Sequence, residues 1–243
     1  MRRAVMIYRS AVALVLFAFF ALGGLLVSPL MIVLRSPRLC QPIVRNLWVM
    51  LVWLFKALGI IGVEFPCKIN NLRGCIIAAN HPSLIDVVLV TALFPRTLYV
   101  AKAALLKNPF LSAIVRHTSL PVDERLVDAV VPYLNDGWNV LVFPEGTRSA
   151  PTGQMQEFHR GIAQLLLRTS SSLVCLGINV SRTILSKNQK PWDMGEKRVV
   201  YSFRVDSPTS HVPDNARALR PQAIALTNEI RRRIDNLRTT VHN

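Results

Sequence analysis

Short apolar runs alternate with longer helical segments over most of the chain, and few folds accommodate such a pattern. Five runs are short and rich in β-branched residues, as buried strands are: "GCIIAA", "TLYVA", "WNVLVF", "SLVCLGINV" and "RVVYSFRV". Segments between them, such as "PSLIDVVLVTALF" and "FHRGIAQLLLRT", have helical periodicity. Strands that alternate with helices predict an α/β fold with a largely parallel central sheet flanked by helices.

The N-terminal part has a different pattern. Residues 11–34 contain no charged residue, and as a helix they would be about 36 Å long, against a bilayer core of about 30 Å. A second apolar run, 47–63, is interrupted only by Lys56. A cleaved signal peptide is the competing interpretation, but the first run exceeds the usual signal core and no small-residue cleavage site follows it. The sequence therefore predicts a membrane-embedded, membrane-anchoring helical pair over 1–63, followed by an α/β domain over 64–243.

The link between the two apolar runs, "RSPRLCQPIVR", contains three arginines. If both runs crossed a bilayer, this link would lie opposite the cationic N-terminus, against the positive-inside tendency. A pair that dips into one leaflet keeps every arginine at one anionic surface. The sequence favours this monotopic pair, and two full spans remain the alternative.

The chain is strongly basic, with a formal net charge of +15. Such a charge favours an anionic partner: a membrane surface, a phosphorylated substrate or nucleic acid. We predict no nucleic acid partner, because the long uncharged segment and the lack of zinc or RNA-recognition patterns disfavour one. The four cysteines have no metal-binding spacing, so we expect small buried thiols and no metal site.

His81 and Asp86 follow the strand "GCIIAA" in the segment "NHPSLID". On one continuous helix this spacing would turn the two side chains about 140° apart. Pro82 disfavours helical geometry at His81, which then sits at the helix entrance and can fold back to the first turn. The pair then matches a general base and its orienting carboxylate. A capping histidine with a helix-dipole aspartate is the alternative, and these residues alone leave both open.

A second polar turn, "FPEGTRS", follows the strand "WNVLVF" and presents Glu145, Gly146, Thr147 and Arg148. Ligands of parallel sheets bind beyond the carboxyl ends of strands, so we expect this turn at the same edge as His81. Gly146 allows close backbone approach, Thr147 supplies a hydroxyl, and Arg148 can bind a phosphate through two hydrogen bonds. A solvated β-turn is the alternative, and a second such turn in a basic chain makes it less favoured.

The two segments resemble the N-H-x-x-x-x-D and F-P-E-G-T-R-S blocks of the glycerolipid acyltransferases, the PlsC-type 1-acylglycerol-3-phosphate acyltransferases. The resemblance implies transfer of a fatty acyl group from an acyl-carrier protein or coenzyme A thioester to a lysolipid hydroxyl, with no cofactor. It makes His81 the general base and Asp86 its partner. It also implies that the acceptor head group contacts a second set of residues: Lys102, Arg125, Glu145, Gly146, Thr147 and Arg148.

Two departures from the family pattern leave the acceptor open. "PVDER" places Glu124 before Arg125, and "VCLGINV" has Gly177 where the family usually has a proline. We expect 1-acylglycerol-3-phosphate as the acceptor, with an accessory lipid pathway (ornithine lipid or aryl polyene lipid) as the alternative. A catalytically silent lipid-binding protein of the same fold is a third possibility, which an oriented base disfavours.

The resemblance and the apolar, basic N-terminal part together predict where the protein works. We expect a membrane-bound enzyme of a bacterial-type inner membrane, with its catalytic domain on the cytoplasmic face. Its expected partners are membrane lipids, the lysolipid acceptor, and the acyl carrier protein or coenzyme A thioester.

Overall fold

The computed structural model of the chain describes residues 2–65, 72–107, 112–149, 154–184, 197–214, 216 and 218–239. Helices and strands alternate along most of this length, as the sequence predicts. In chain order the elements are α1 (Arg2–Leu34), α2 (Pro37–Ala57), β1 (Ile61–Glu64), β2 (Cys75–Ala79), α3 (Asp86–Leu93), β3 (Thr97–Ala101), a 3-10 helix (Ala103–Lys107), α4 (Ser112–Thr118), β4 (Ser119–Pro121), α5 (Leu126–Asn135), β5 (Asn139–Val142), α6 (Gly161–Thr169), β6 (Ser172–Val180), β7 (Val199–Val205), β8 (Thr209–Ser210) and α7 (Leu219–Thr239).

The described strands form one sheet in the order β1-β7-β6-β2-β5-β3-β4, with β8 paired to the start of β6. The strands from β6 to β4 in this order are parallel to one another, whereas β7 and β8 run antiparallel to β6. The prediction of an α/β fold with a largely parallel central sheet is therefore confirmed. We call the edge at which β2, β3, β4, β5 and β6 end the carboxyl edge.

Helices cover both faces of the sheet. Alternate residues of β2 divide between the two layers: Ile77 packs with α1, α2 and α3, and Ile76 packs with α5, α6 and α7. Burial on both faces explains why β2 and β6 are continuous apolar runs with no polar alternation. The cysteines of these two strands, Cys75 and Cys175, are buried and unpaired, as is Cys40 in α2. Cys67 lies outside the described residues.

The N-terminal helices pack on the sheet and do not form a separate body. Leu51 and Phe55 of α2 are buried in the core of the α/β fold, and the Arg9 guanidinium of α1 donates to the Ile60 carbonyl oxygen at 2.8 Å. The structure also differs from the predicted boundary at residue 63, because Ile61 begins β1 and pairs with Val199 of β7. Within the described ranges, no helix has both the length and the apolar character needed to cross a membrane.

Gly177 lets α7 lie directly against β6. A Cβ atom at this position would be 2.6 Å from the Leu237 Cβ and 3.0 Å from the Leu237 carbonyl carbon. The last turn of α7 is also held by the Asn179 amide, which donates to the Arg238 carbonyl oxygen at 2.9 Å. The residue that departs from the family pattern is therefore a packing residue.

Gly177→Ala is expected to destabilise the fold, because the Cβ must push the α7 backbone away from β6. Overpacking of this kind costs about 2 kcal/mol, which lowers Tm by roughly 4–8 °C in a chain of this size. Thermal unfolding followed by circular dichroism measures the effect. Gly161→Ala is the matched control, because no atom lies within 4 Å of its added Cβ. Equal Tm values for the two variants would contradict this packing role.

Candidate active site

The carboxyl edge gathers the predicted site residues, because each follows a strand that ends there. His81 follows β2, Gly146 follows β5, Lys102 follows β3, and Arg125 follows β4. These four strands are consecutive in the sheet, in the order β2-β5-β3-β4, so the ends of neighbouring strands are about 4.8 Å apart. Arg125 is the outermost of the four, three strands away from His81.

His81 and Asp86 lie within hydrogen-bonding distance, with 3.0 Å between His81 Nδ1 and Asp86 Oδ2. The Asp86 side chain is fully buried, whereas the His81 side chain is 13% exposed. Within the segment "PSLIDVVLVTALF" the helix begins only at Asp86, and the residues before it form a turn. This turn brings Asp86 back under the His81 ring. The five-residue spacing between His81 and Asp86 therefore spans a turn and the start of a helix, and not one continuous helix.

Asp86 is held by its neighbours as well as by His81. Its Oδ2 atom accepts from the Ser83 backbone N–H at 2.7 Å, and its Oδ1 atom accepts from the Ser83 hydroxyl at 3.1 Å. Burial raises the pKa of Asp86 above its usual value, while His81 and the Ser83 hydrogen bonds lower it again. An ionised Asp86 can only accept hydrogen bonds, so Nδ1 of a neutral His81 ring carries the proton and Nε2 keeps the lone pair.

The loop after β5 fixes His81 from the other side. The His81 backbone N–H donates to Glu145 Oε1 at 2.9 Å, and the His81 carbonyl oxygen accepts from the Ser149 N–H at 2.7 Å. The ring stacks on Phe143 with 4.2 Å between centroids and 22° between planes. Both the backbone and the ring of His81 are therefore held in place by "FPEGTRS".

The structure places Glu145 differently from the position predicted from the sequence. It was predicted to contact an acceptor head group, but the residue is only 2% exposed and its carboxylate faces inward. The carboxylate accepts from His81, from the Ser149 hydroxyl at 2.9 Å and from the Gln156 N–H at 2.7 Å. These donors already occupy both oxygens, so Glu145 joins the two loops and does not present its charge to a ligand.

Gly146 lies under two basic side chains. Its φ of +59° favours glycine, and a Cβ atom there would be 2.8 Å from the His159 ring and 3.9 Å from Lys102 Cε. The absent side chain thus lets the His159 ring pack directly against the Gly146 backbone, with Lys102 beside it. Thr147 and Arg148 follow on the same turn and are half-buried.

The family model described as "Acyltransferase" matches residues 60–179, which include both polar turns. The chain belongs to the acyltransferase family.

A curated relative and a solved structure extend the likeness. The 1-acyl-sn-glycerol-3-phosphate acyltransferase of Cocos nucifera is 27% identical over 150 residues, which are 57% of this chain and 47% of that protein. The chain therefore spans about half the length of this curated relative. The crystal structure of the 1-acyl-sn-glycerophosphate (LPA) acyltransferase PlsC from Thermotoga maritima matches with a TM-score of 0.61 and 20% identity, over 98% of this chain and 97% of that chain. That match shows a common fold.

Arg125 follows Glu124, one of the two departures from the family pattern. Its backbone N–H donates to Asp123 Oδ1 at 2.9 Å, and α5 begins at the next residue. The insertion is absorbed in an exposed turn, and the Arg125 side chain is itself exposed. The departure therefore leaves Arg125 at the carboxyl edge.

Sequence reasoning missed several residues that support His81 and Asp86. Asn80 exchanges two hydrogen bonds with Ile178, at 2.8 and 2.7 Å, and so joins β2 to β6 just before His81. The hydroxyl of Tyr201, in β7, lies 2.9 Å from the Ser83 hydroxyl. The folded loop also brings the His159 ring to Gly146. No local pattern could have found these contacts, because the partners are far apart in sequence.

Proposed function

We propose that this acyltransferase moves a fatty acyl group from an acyl thioester to the hydroxyl of a lysolipid, with 1-acylglycerol-3-phosphate as the acceptor. One observation carries the proposal: a histidine paired with a buried carboxylate lies at the same edge of the sheet as a glycine turn that has two basic side chains beside it. The Cocos nucifera relative, a 1-acyl-sn-glycerol-3-phosphate acyltransferase, supports the same acceptor. The donor is a thioester of an acyl carrier protein or of coenzyme A, and the reaction uses no cofactor.

His81 would act as the general base. Its Nε2 atom takes the proton of the acceptor hydroxyl as the oxygen attacks the thioester carbonyl carbon. The tetrahedral intermediate collapses with cleavage of the C–S bond, and the imidazolium returns the proton to the leaving thiolate. Asp86 stabilises the imidazolium and fixes the tautomer through Nδ1. No acyl-enzyme is formed, because the acceptor oxygen attacks the donor directly.

Lys102 and His159 would bind the head group above Gly146. A phosphate monoester carries up to two negative charges and three acceptor oxygens, which suits two neighbouring basic side chains. Thr147, Arg148 and the more distant Arg125 would complete the basic edge. Glu145 has no part in this contact and acts by positioning the loop.

Membrane attachment is proposed for the outer surface of the helical pair. Large apolar side chains there are exposed, among them Val15 in α1 and Trp53 in α2, and Leu84 and Leu105 are exposed at the carboxyl edge. Apolar residues on both surfaces suit a protein that rests in one leaflet with its site at the lipid surface. We propose a monotopic attachment to the cytoplasmic face of a bacterial-type inner membrane.

Lys102→Glu is expected to raise the KM for 1-acylglycerol-3-phosphate by at least about tenfold, because it replaces an attractive charge with a repulsive one. The KM for the acyl donor should change little. Steady-state kinetics in mixed micelles, with the acceptor surface concentration and the donor concentration varied in turn, measures both constants. Lys107→Glu is the matched control, because Lys107 is also exposed and ends the 3-10 helix that directly follows Lys102. An unchanged acceptor KM in Lys102→Glu, or an equal rise in both variants, would contradict the head-group role.

A further inference from the structure

Tyr201 belongs to β7, outside the residues that the family model matches. It is fully buried, and its hydroxyl lies 2.9 Å from the Ser83 hydroxyl. Ser83, also fully buried, bonds in turn to Asp86 Oδ1 at 3.1 Å. Tyr201, Ser83, Asp86 and His81 therefore form one continuous hydrogen-bonded chain that ends at the proposed base.

The number of protons and lone pairs on each group determines which residue donates in each of these hydrogen bonds. A serine hydroxyl has one proton to donate and two lone pairs that can accept. The ionised Asp86 can only accept, so the Ser83 proton goes to Oδ1. The Ile85 backbone N–H lies 3.2 Å from the Ser83 oxygen and takes one lone pair. The remaining lone pair faces Tyr201, so Tyr201 donates.

The environment keeps Tyr201 a donor. Burial, and after it the nearby Asp86 charge, raise the pKa of Tyr201 well above its usual value, so the phenol stays protonated wherever the enzyme is folded. A buried hydroxyl without a partner is costly, and Ser83 is the partner that this strand position provides. Tyr201 is thus set to hold Ser83 in one rotamer.

We propose that Tyr201 is a positioning residue for acyl transfer, which acts through Ser83 to hold the Asp86 carboxylate in the orientation that pairs with His81 Nδ1. Tyr201 touches neither substrate. Its effect belongs to the chemical step and leaves acceptor binding unchanged. The kinetic part of this inference rests on the proposed function, whereas the coupling of Tyr201 to His81 does not.

Tyr201→Phe removes only the hydroxyl and is expected to lower kcat about tenfold, the loss that corresponds to one buried hydrogen bond. The acceptor KM should stay within about twofold, because the head-group residues are untouched. Ser83→Ala should lower kcat by roughly 10–100-fold, because it removes a bond to a charged group. The double variant should be no slower than Ser83→Ala, because the two residues act in series.

Tyr99→Phe is the matched control. Tyr99 is a buried tyrosine of β3 whose hydroxyl accepts from Thr118 at 3.5 Å, a contact outside the chain that leads to His81. Its kcat should stay within about twofold of the wild type. A kcat for Tyr201→Phe that matches Tyr99→Phe would overturn the proposal. So would losses that multiply in the Tyr201→Phe/Ser83→Ala variant.

The pH profile adds a readout that a purely structural role would not move. Without the Tyr201 donor, more of the Asp86 charge is left to attract the imidazolium, so the acid limb of kcat/KM should shift to higher pH. Among the described residues, Glu145 contacts the His81 backbone, Lys102 and His159 lie beside Gly146, and Arg148 follows on the same turn; all of them are retained. An unshifted limb would contradict the proposed coupling.

Nuclear magnetic resonance of the His81 ring nitrogens separates this inference from the proposed function, because it needs no substrate. Tyr201→Phe and Ser83→Ala should both shift the Nδ1 resonance, and Tyr99→Phe should not. That result supports the positioning role even if the wild type fails to acylate the lysolipid, in which case only the proposed function fails. A Nδ1 resonance unchanged in Tyr201→Phe would overturn the inference.

Discussion

His81→Ala is expected to lower kcat/KM for acyl transfer by about 10³-fold or more while the protein stays folded. General base catalysis contributes about 10²–10⁴-fold, and the alanine variant has no other group at the position of Nε2 to accept the hydroxyl proton. The acceptor KM should change little, because the His81 ring is not one of the two basic side chains beside Gly146 that are proposed to bind the head group. Radiolabelled acyl transfer by the purified protein in lipid vesicles measures the loss.

His211→Ala is the matched control for this loss. His211 also lies near a carboxylate, with 3.6 Å between its Nε2 atom and Glu229 Oε1, but β8 places it at the opposite edge of the sheet. Removing it should leave kcat/KM within about twofold. Turnover by His81→Ala at the rate of His211→Ala would exclude His81 as the base.

Asp86→Asn is expected to lower kcat by about 10²–10⁴-fold without unfolding the protein, because a neutral amide cannot stabilise the imidazolium. The amide fits the same contacts: its oxygen can accept from the Ser83 N–H, and its NH₂ can donate to the Ser83 hydroxyl. Ser83 would then donate to Tyr201 instead of accepting from it. The buried Tyr201 proton then loses Ser83 as its acceptor, so we expect a loss of stability of about 1–3 kcal/mol.

The stability difference between Asp86→Asn and the wild type should depend on pH. Burial raises the folded-state pKa of Asp86 above the usual value of 3.8, so the folded wild type binds more protons than the unfolded chain between those two values. Wild-type stability from this group is therefore greatest at low pH and is lost as pH rises through the folded pKa. The Tm of Asp86→Asn relative to wild type should rise from pH 4 towards pH 8, and thermal unfolding across that range measures it. A relative Tm that falls over the range would contradict the burial cost.

Local patterns in the sequence were sufficient for most strands and for the parallel sheet. Short β-branched runs separated by helices have few other arrangements, and the strands of "GCIIAA" and "WNVLVF" end at one edge as expected. β1 was missed because Ile61 follows an apolar helix after only a few residues, so helical and strand periodicity could not be separated there. Its pairing with β7 depends on residues more than a hundred positions away.

The candidate site was only partly open to prediction. Pro82 was enough to suggest that His81 and Asp86 could meet, because a turn before a helix changes what a five-residue spacing means. The inward direction of Glu145 could not be inferred, since its partners Ser149 and Gln156 become neighbours only when the loop folds. The contact of Tyr201 with Ser83 could not be inferred from the sequence for the same reason.

Gly177 illustrates how a departure from a family pattern can have a local cause. The sequence alone left it as a reason to question the acceptor. The short distances to Leu237 instead relate it to the way α7 closes over β6, on the side of the sheet away from Ser83 and the His81 pair. The acceptor is therefore best judged from Lys102, Gly146 and His159.

The most direct test of the central claim is a competition between acceptors, followed by mass spectrometry of the products. The purified protein in vesicles receives one acyl thioester and an equimolar mixture of 1-acylglycerol-3-phosphate, a zwitterionic lysophospholipid, monoacylglycerol and an ornithine lipid precursor. We predict that the phosphate monoester is acylated at least about tenfold faster than the others, and that His81→Ala forms no diacyl product above background. Preferred acylation of an acceptor without a phosphate monoester, or product formation by His81→Ala at the wild-type rate, would contradict the account.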